Sequence, residues 1–372
     1  MRNRVVLLIL IICLLSGTSG CWDIKDVNNT AFALSIGIDK PPKSSTAKYL
    51  VTLEFTEPVT AKPHISMESL TTSAEGDSIL QAVQSIQTDI SRTVSLSHLR
   101  VVIIGEEIAK EKDFKSITNY LMRNPQVAWR LRLIFVQGDA AQNLFYAKHN
   151  FEQLLGAEIV SMGQSQEDLS YVRTNNFLDF MRNLNRTKGT AVGSRVTIKE
   201  KAQVYTRDGG AVYKKWKLAG WLSTEETQGA NWLVEKTRPI VFSQEGKNSY
   251  TYQTSRFSRK ITPVVANDKL SFLVKINTVG MVMEQDGPEL DFSKPGNLKK
   301  MELLFSSTIK QQVNYAVEKS QSEIKADYLG FDRALEQNNP ELFKALNWEK
   351  VYPTIPIEVQ VSCKIKSYGL RS

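Results

Sequence analysis

Apolar positions in the first half of the chain follow two periods, one typical of strands and one of helices. Apolar runs predict strands at 31–39, 49–56, 100–105 and 131–136. Between these runs apolar residues recur every three or four positions, as at Ile79, Val83 and Ile86, which predicts helices that cover a sheet with one face. Asp77 is the expected N-cap of that helix, and 58–72, rich in Thr, Ser and Pro, is expected to be loop. The alternation favours an α/β layer with at least one parallel pair of strands.

The second half begins with strand patterns and ends with a long helix and a final strand. Strands are predicted at 195–205, 211–213, 238–242, 250–256 and 269–282. Asp208-Gly209 predicts a hairpin turn between the first two of them. The segment 297–325 carries the longest helical pattern, and Asn339-Pro340 predicts the start of a short helix. From 355 to 365 apolar residues alternate with polar ones, which predicts a half-buried last strand.

These elements together predict a multi-domain α+β protein with mixed β-sheets covered by helices, a long C-terminal helix and a final strand running from an edge into the core. A chain of 372 residues is long for a single core. The polar segment 185–193, with Gly189 and Gly193, marks the main boundary. We therefore expect an N-terminal α/β domain over 21–189, with a helical segment at 140–184, and a C-terminal α+β domain over 190–372.

The N-terminus has the composition of a secretory signal. Arg2 and Arg4 precede an apolar run at 5–15, and small residues lead from there to Cys21. The run is too short to span a bilayer, which needs about 20 residues. A thiol directly after small residues resembles the lipobox of bacterial lipoproteins, although Thr18 stands where that pattern usually has a bulky aliphatic residue. We expect residues 1–20 to be a signal peptide and Cys21 to attach lipid.

Two alternatives for this N-terminus stay open. One is an ordinary exported protein with a chance cysteine at position 21, and the other is an uncleaved N-terminal anchor. The uncleaved anchor would also leave the folded body outside the cytoplasm.

The composition limits both the class of protein and the partners that we expect. The hydrophobic share of 42% and the charged share of 23% are those of a globular protein. The net charge is +8, and without Arg2 and Arg4 of the expected leader 45 basic residues stand against 39 acidic ones, or +6; this modest excess suits an anionic membrane surface. Because the charge is not concentrated in one stripe, we expect no nucleic-acid partner. With Cys13 in the expected leader and Cys21 carrying lipid, Cys363 has no cysteine left to pair with.

The sequence offers no catalytic, metal-binding or cofactor-binding constellation. His64, His98 and His149 are far apart, and none has the spacing of a metal site. His98 could be a general base, but a strand-end residue bonded to backbone is the simpler interpretation. Cys363 lies on the apolar face of its strand, where a thiol packs as a small hydrophobic group. Phosphate-cradling glycine motifs are absent, so we expect neither an enzyme nor a cofactor.

Two further groups of residues have a functional and a structural interpretation. Glu106-Glu107 could be an acid pair, but adjacent helical residues point apart, and a solvated helix start is the simpler interpretation. The tryptophans could anchor a partner, but more often such residues fill cores and sheet faces. They are Trp129, Trp216, Trp221, Trp232 and Trp348.

Five blocks of sequence resemble the Ger(x)C lipoproteins, the C subunits of germinant receptors in spore-forming Gram-positive bacteria. In order, the blocks are Gly20-Cys21-Trp22-Asp23 with the strand after it, Ser97-His98-Leu99-Arg100 with the strand after it, PQVAWR at 125–130, KLAGWL at 217–222, and DYLGF at 327–331 with Trp348 and the last strand. They span nearly all of the chain after residue 20. The family often has Arg-Glu after the tryptophan of the third block, and Leu131 departs from that pattern.

The resemblance implies a three-domain α+β body that is held by lipid on Cys21 at the outer face of the spore's inner membrane. It implies a non-enzymatic subunit that works with a polytopic A subunit and a transporter-like B subunit, so that nutrients trigger germination. No catalytic residue, cofactor or metal is implied.

Two other functions remain to be weighed. One is a solute-binding lipoprotein that captures the nutrient directly in a cleft between domains. The other, a cell-wall hydrolase, needs a paired acid and base in a cleft, and the sequence shows no candidate spacing.

Overall fold

A computed structural model describes residues 29–56, 70–111, 114–148, 151–165, 172, 176–186, 189–199, 204–234, 239–287, 290 and 294–367. Within these residues the chain forms a nine-stranded sheet followed by a four-stranded sheet, and helices pack on both. The fold is therefore α+β with mixed sheets, as the sequence predicts.

The larger sheet is parallel at its centre and antiparallel on both sides. Its strands are β1 (Thr30–Asp39), β2 (Tyr49–Thr56), β3 (Leu70–Gly76), β4 (Thr93–Ser95), β5 (Val101–Ile104), β6 (Arg132–Gln137), β7 (Thr190–Lys199), β8 (Val204–Lys214) and β9 (Lys217–Leu222). The order is β3-β2-β1-β5-β6-β7-β8-β9, with β4 beside β1. Strands β1, β5, β6 and β7 run parallel, and β2, β3, β8 and β9 are antiparallel to their neighbours.

Helices cover both faces of that parallel centre. They are α1 (Ile79–Asp89), α2 (Glu106–Lys110), α3 (Phe114–Arg123), α4 (Ala141–Phe145), α5 (Leu155–Ser165) and α6 (Phe177–Arg186). Val102 and Ile104 belong to one apolar cluster with α1, α3 and α6, whereas Val101 and Ile103 belong to another with α4 and α5. Because both faces are covered, β5 is apolar at every position.

The smaller sheet has the order β10-β11-β12-β13, and its last strand lies at one edge. The strands are β10 (Ile240–Glu245), β11 (Asn248–Ala266), β12 (Lys269–Asp286) and β13 (Ile357–Ser367). Its helices are α7 (Thr224–Val234), α8 (Pro295–Glu318) with a π-helical turn (Lys319–Glu323), α9 (Phe331–Asn338), α10 (Pro340–Ala345) and α11 (Trp348–Val351), followed by a 3₁₀ turn (Tyr352–Thr354). The long C-terminal helix and the final strand are confirmed, and Asn339 caps α10 by accepting from the Leu342 N–H at 3.1 Å.

Helix α8 protects the edge of the final strand. The main-chain N–H of Cys363 donates to Ser306 Oγ at 3.0 Å, and that of Ile365 donates to Glu302 Oε1 at 3.1 Å. Both acceptors lie on α8, so side chains of the helix take up hydrogen-bonding groups that an edge strand usually leaves open.

Helices α7 and α8 cross at very short range. A Cβ added to Gly229 would lie 1.9 Å from the carbonyl oxygen of Gln312, so only glycine fits there. The Gln312 side chain accepts from Trp232 Nε1 at 3.0 Å and donates to Gln228 Oε1 at 3.1 Å. The crossing is thus fixed by one close main-chain contact and two hydrogen bonds.

The predicted hairpin turn at Asp208-Gly209 is wrong. Both residues lie inside β8, beside an irregularity in its register with β7, and Gly209 has a φ of +69° there. A Cβ at Gly209 would lie 2.6 Å from the Arg195 guanidinium carbon. The glycine therefore serves a close approach within the sheet. The tight turn that leads out of β8 is Lys215-Trp216, with φ values of 50° and 68°.

Two predictions before α1 also need correction. Residues 70–72 belong to β3, although their Thr-rich sequence predicts loop. The N-cap of α1 is Ser78, whose Oγ accepts from the Gln81 N–H at 3.1 Å, and Asp77 lies one residue too early. The larger sheet continues past residue 190 through β7, β8 and β9; the division into domains at 189/190 stays a prediction.

Candidate functional site

The residues that the sequence singles out do not form one centre. Cys21, His64 and His149 lie outside the described residues. His98 is exposed; its ring lies 4.3 Å from that of Phe32, and its Nδ1 is 3.2 Å from Ser97 Oγ. Within the described part of the chain, no three His, Cys, Asp or Glu side chains are grouped so that they could hold a metal ion.

Cys363 is buried, and the carboxylate of Glu106 is engaged in contacts that hold the fold together. Cys363 is 2% exposed, and burial raises the pKa of its thiol. The Glu106 carboxylate accepts from the Gly138 N–H and from Trp221 Nε1, and it lies 2.7 Å from Lys110 Nζ. Glu106 and Glu107 lie at a helix start as expected, and Glu107 is exposed. The Glu106 carboxylate is not simply solvated, because it links α2 to β9 and to the loop after β6.

Most of the tryptophans belong to the cores. Trp232 and Trp348 are buried in the cluster of the smaller sheet, and Trp216 and Trp221 pack against the cluster of the larger one. Trp129 is 47% exposed and lies in the loop before β6. The structural interpretation therefore holds for four of these five residues.

A cavity of about 560 Å³ opens where the loops before β5 and β6 meet the start of α6. We call it the basic cavity, because Arg100, Arg130 and Arg132 all line it. Asp179 is its one acidic lining residue among those described, and Asn176 lies beside it. The remaining wall is formed mainly by Leu99, Ala128, Leu131 and Val160.

Strand pairing holds two of these arginines side by side. The main-chain N–H of Arg132 donates to the carbonyl oxygen of Arg100 at 2.7 Å, and Val101 pairs with Arg132 in the parallel ladder. Both strands therefore begin at the same level. Gly163 of α5 leaves room for the Arg132 guanidinium, since a Cβ at that position would lie 3.3 Å from its Cζ.

The start of α6 completes the cavity. Asn176 Oδ1 accepts from the Asp179 N–H at 2.9 Å and so caps the helix. The Asp179 carboxylate lies 3.4 Å from Arg182 Nη1, one helical turn further on. The N-terminus of a helix carries a partial positive charge, which adds to that of the three guanidinium groups.

A second cluster lies between the two sheets. Asp327 and Asp332 are 6% and 7% exposed, beside a 20 Å³ void that Thr190, Lys214 and Tyr352 also line. The Asp327 carboxylate accepts from the N–H groups of residues 329, 330, 331 and 332, and so caps α9. The pKa of Asp332 is raised to about 8, first by burial and second by the negative charge of the nearby Asp327.

Two family models match the chain almost from end to end. The model described as "Spore germination protein N-terminal domain" matches residues 23–198, and the model described as "Spore germination B3/ GerAC like, C-terminal" matches residues 208–369. The chain belongs to the Ger(x)C family of spore germination proteins. A role in spore germination follows from that membership.

Several Ger(x)C relatives and one solved structure extend over the same length. Spore germination protein B3 of Bacillus subtilis is 24% identical over 94% of this chain and 94% of its own. Spore germination protein KC of the same organism is 22% identical over 100% and 98%. The crystal structure of the GerBC protein matches 91% of this chain and 99% of its own with a TM-score of 0.56 at 20% identity, which confirms the fold.

The blocks that carry the Ger(x)C resemblance have distinct places in the structure. The second and third blocks, at 97–100 and 125–130, supply Arg100 and Arg130 to the basic cavity. The fourth block is β9, and the fifth contains Asp327 and the start of α9.

The sequence does not reveal the basic cavity, because its arginines come from two segments that only the register of β5 and β6 brings together. The sequence does carry one signal for the cavity. Arg100 stands directly before the buried strand β5, and Arg132 is the first residue of the buried strand β6.

Proposed function

We propose that this chain is a lipid-anchored, non-enzymatic subunit of a nutrient germinant receptor. In this proposal it lies at the outer face of the spore's inner membrane and works with a polytopic A subunit and a transporter-like B subunit. The observation that carries the proposal is the match to both Ger(x)C family models, which begins at residue 23, two residues after Cys21. The matched part of the chain thus starts shortly after the expected signal peptide, residues 1–20.

Lipid on Cys21 is the expected means of membrane attachment. Each buried CH₂ of an acyl chain contributes about 0.8 kcal/mol, so two chains hold a folded body firmly. No helix within the described residues is long and apolar enough to cross a membrane. The positive net charge adds a weaker attraction to anionic lipid.

A cysteine substitution in sporulating cells tests the anchor. Cys21→Ala should release the protein from the spore membrane fraction and strongly reduce nutrient-triggered germination. Cys13→Ala is the matched control, because it removes a thiol from the expected leader and should change neither property. If Cys21→Ala spores kept both membrane attachment and the nutrient response, the anchored function would be wrong.

The basic cavity favours a second candidate function, a solute-binding lipoprotein that captures the nutrient directly. Its volume of 560 Å³ lies within the range of about 300–1,000 Å³ that is usual for ligand cavities. Calorimetry of the purified chain against amino acids and sugars separates the two functions. Micromolar binding by this chain alone would favour direct capture over a role through contact with other subunits.

A further inference from the structure

The basic cavity concentrates positive charge. Arg100, Arg130 and Arg132 line it, and among the described residues Asp179 supplies the one carboxylate. Each guanidinium group of an arginine carries a positive charge and five N–H donors. Like charges that share one cavity repel each other, and this repulsion favours an anion between them.

Two of the three arginines are available to a ligand. The side chains of Arg100 and Arg130 are exposed and have no hydrogen bond or ion pair within the described residues. Arg132 is more enclosed, with its guanidinium group against Gly163 of α5. The pairing of β5 with β6 fixes the main chain from which Arg100 and Arg132 project, so the cavity is set by the sheet rather than by a loop alone.

We propose that the basic cavity binds an oxyanion, the carboxylate or phosphate group of a small solute. The guanidinium group offers two parallel N–H donors, which match the two oxygens of a carboxylate or phosphate. The N-terminus of α6, a helix of 10 residues, adds a partial positive charge on the same side. Leu99, Leu131 and Val160 provide an apolar wall for the rest of the molecule.

Asp179 gives the proposal a test of sign. Asp179 lines the cavity, so its negative charge would repel an anion bound there, although the nearby Arg182 would partly compensate that charge. Removing this negative charge should therefore strengthen the binding of an anion, whereas a site for a cation would be weakened. If these residues were only structural, binding would not be strengthened by loss of the Asp179 charge and weakened by loss of an arginine charge.

The experiment is calorimetry of the purified full-length chain at low ionic strength with two probes, inorganic phosphate and succinate. At least one probe should bind saturably, and comparison of the two distinguishes a phosphate site from a carboxylate site. Arg130→Gln and Arg100→Gln should each weaken binding about tenfold, which corresponds to the loss of one charged hydrogen-bonding group. Asp179→Asn should strengthen it.

Two controls make the result specific. Arg256→Gln removes an exposed arginine from β11, in the other sheet, and should leave binding unchanged. Arg130→Lys keeps the charge but loses the paired donors, so its affinity should fall between those of the wild type and Arg130→Gln. Thermal unfolding of each variant shows whether the fold is kept. Because Arg100 and Arg130 are exposed, we expect their variants to fold.

Three outcomes would overturn the proposal. They are failure of both probes to bind saturably, an equal loss of binding with Arg256→Gln, and weaker rather than stronger binding with Asp179→Asn. The measurement uses purified protein and does not depend on the anchor at Cys21, so its result is independent of the germination experiment.

Discussion

The main-chain N–H of Asp332 donates to Oδ2 of Asp327 at 2.6 Å, which brings two buried carboxyl groups into one site at the start of α9. Burial raises the pKa of both groups, and that of Asp332 reaches about 8. A carboxyl group with a raised pKa binds its proton more tightly in the folded state than in the unfolded state. The folded state therefore loses stability as the pH rises from the unfolded pKa, 3.8, through 8.

We predict that the melting temperature of the chain falls between pH 6 and pH 9 and that Asp332→Asn removes most of this fall. Each proton involved changes the free energy of unfolding by up to about 1.4 kcal/mol per pH unit. Asp39, whose pKa burial raises to about 6, contributes mainly below this window. Asp89→Asn, an exposed control, should keep the wild-type slope, and a slope unchanged in Asp332→Asn would contradict the prediction.

We predict that Gly229→Ala strongly destabilises the smaller-sheet half of the molecule. The new methyl group would collide with the main-chain carbonyl of Gln312, so helices α7 and α8 must separate. Overpacking of this kind costs about 1–3 kcal/mol, and a main-chain obstacle places it at the upper end. Gly296→Ala in the first turn of α8 meets no atom within 4 Å and should be neutral or slightly stabilising in urea unfolding.

We predict that Glu54→Gln destabilises the fold, although the side chains of glutamate and glutamine have the same shape. Oε1 of Glu54 accepts from the Leu155 N–H at 2.6 Å and Oε2 accepts from the Gly156 N–H at 2.9 Å, at the start of α5. Glutamine has one oxygen, so one of these buried N–H groups loses its acceptor, at a cost of about 1–3 kcal/mol. Urea unfolding measures the loss; Glu341→Gln, on an 84% exposed side chain, should leave stability unchanged.

Thiol counting on the mature chain gives a further prediction. In the folded protein a thiol reagent should find no reactive group, because Cys363 is 2% exposed and its raised pKa keeps the thiol protonated. In denaturant it should find one, if Cys21 carries lipid. A reactive thiol in the folded chain would show that Cys21 is unmodified, and Cys363→Ser should abolish the signal in denaturant.

The periodicity of apolar residues is sufficient to predict elements that bury one or both faces. The alternation before Cys363 predicted the final strand, and the apolar run at 101–104 predicted a strand covered on both sides. These patterns are local consequences of burial, so a single sequence reveals them.

Turns and contacts between distant segments were harder to predict. Lys215 and Trp216 adopt positive φ values that such residues rarely adopt, because the strands on either side and the packing of Trp216 impose that conformation. Gly209, in contrast, is a typical turn residue used for a close approach to Arg195. The basic cavity escaped prediction for a related reason, since Arg100 and Arg132 meet only through strand register.

The capping of β13 by Ser306 and Glu302 bears on how copies of this protein meet each other at high concentration. An open strand edge would let one copy extend its sheet onto the next, and repeated extension leads to fibrous aggregates. Because the N–H groups of Cys363 and Ile365 are already occupied, they are not open to a strand of a second copy, which disfavours such extension at this edge.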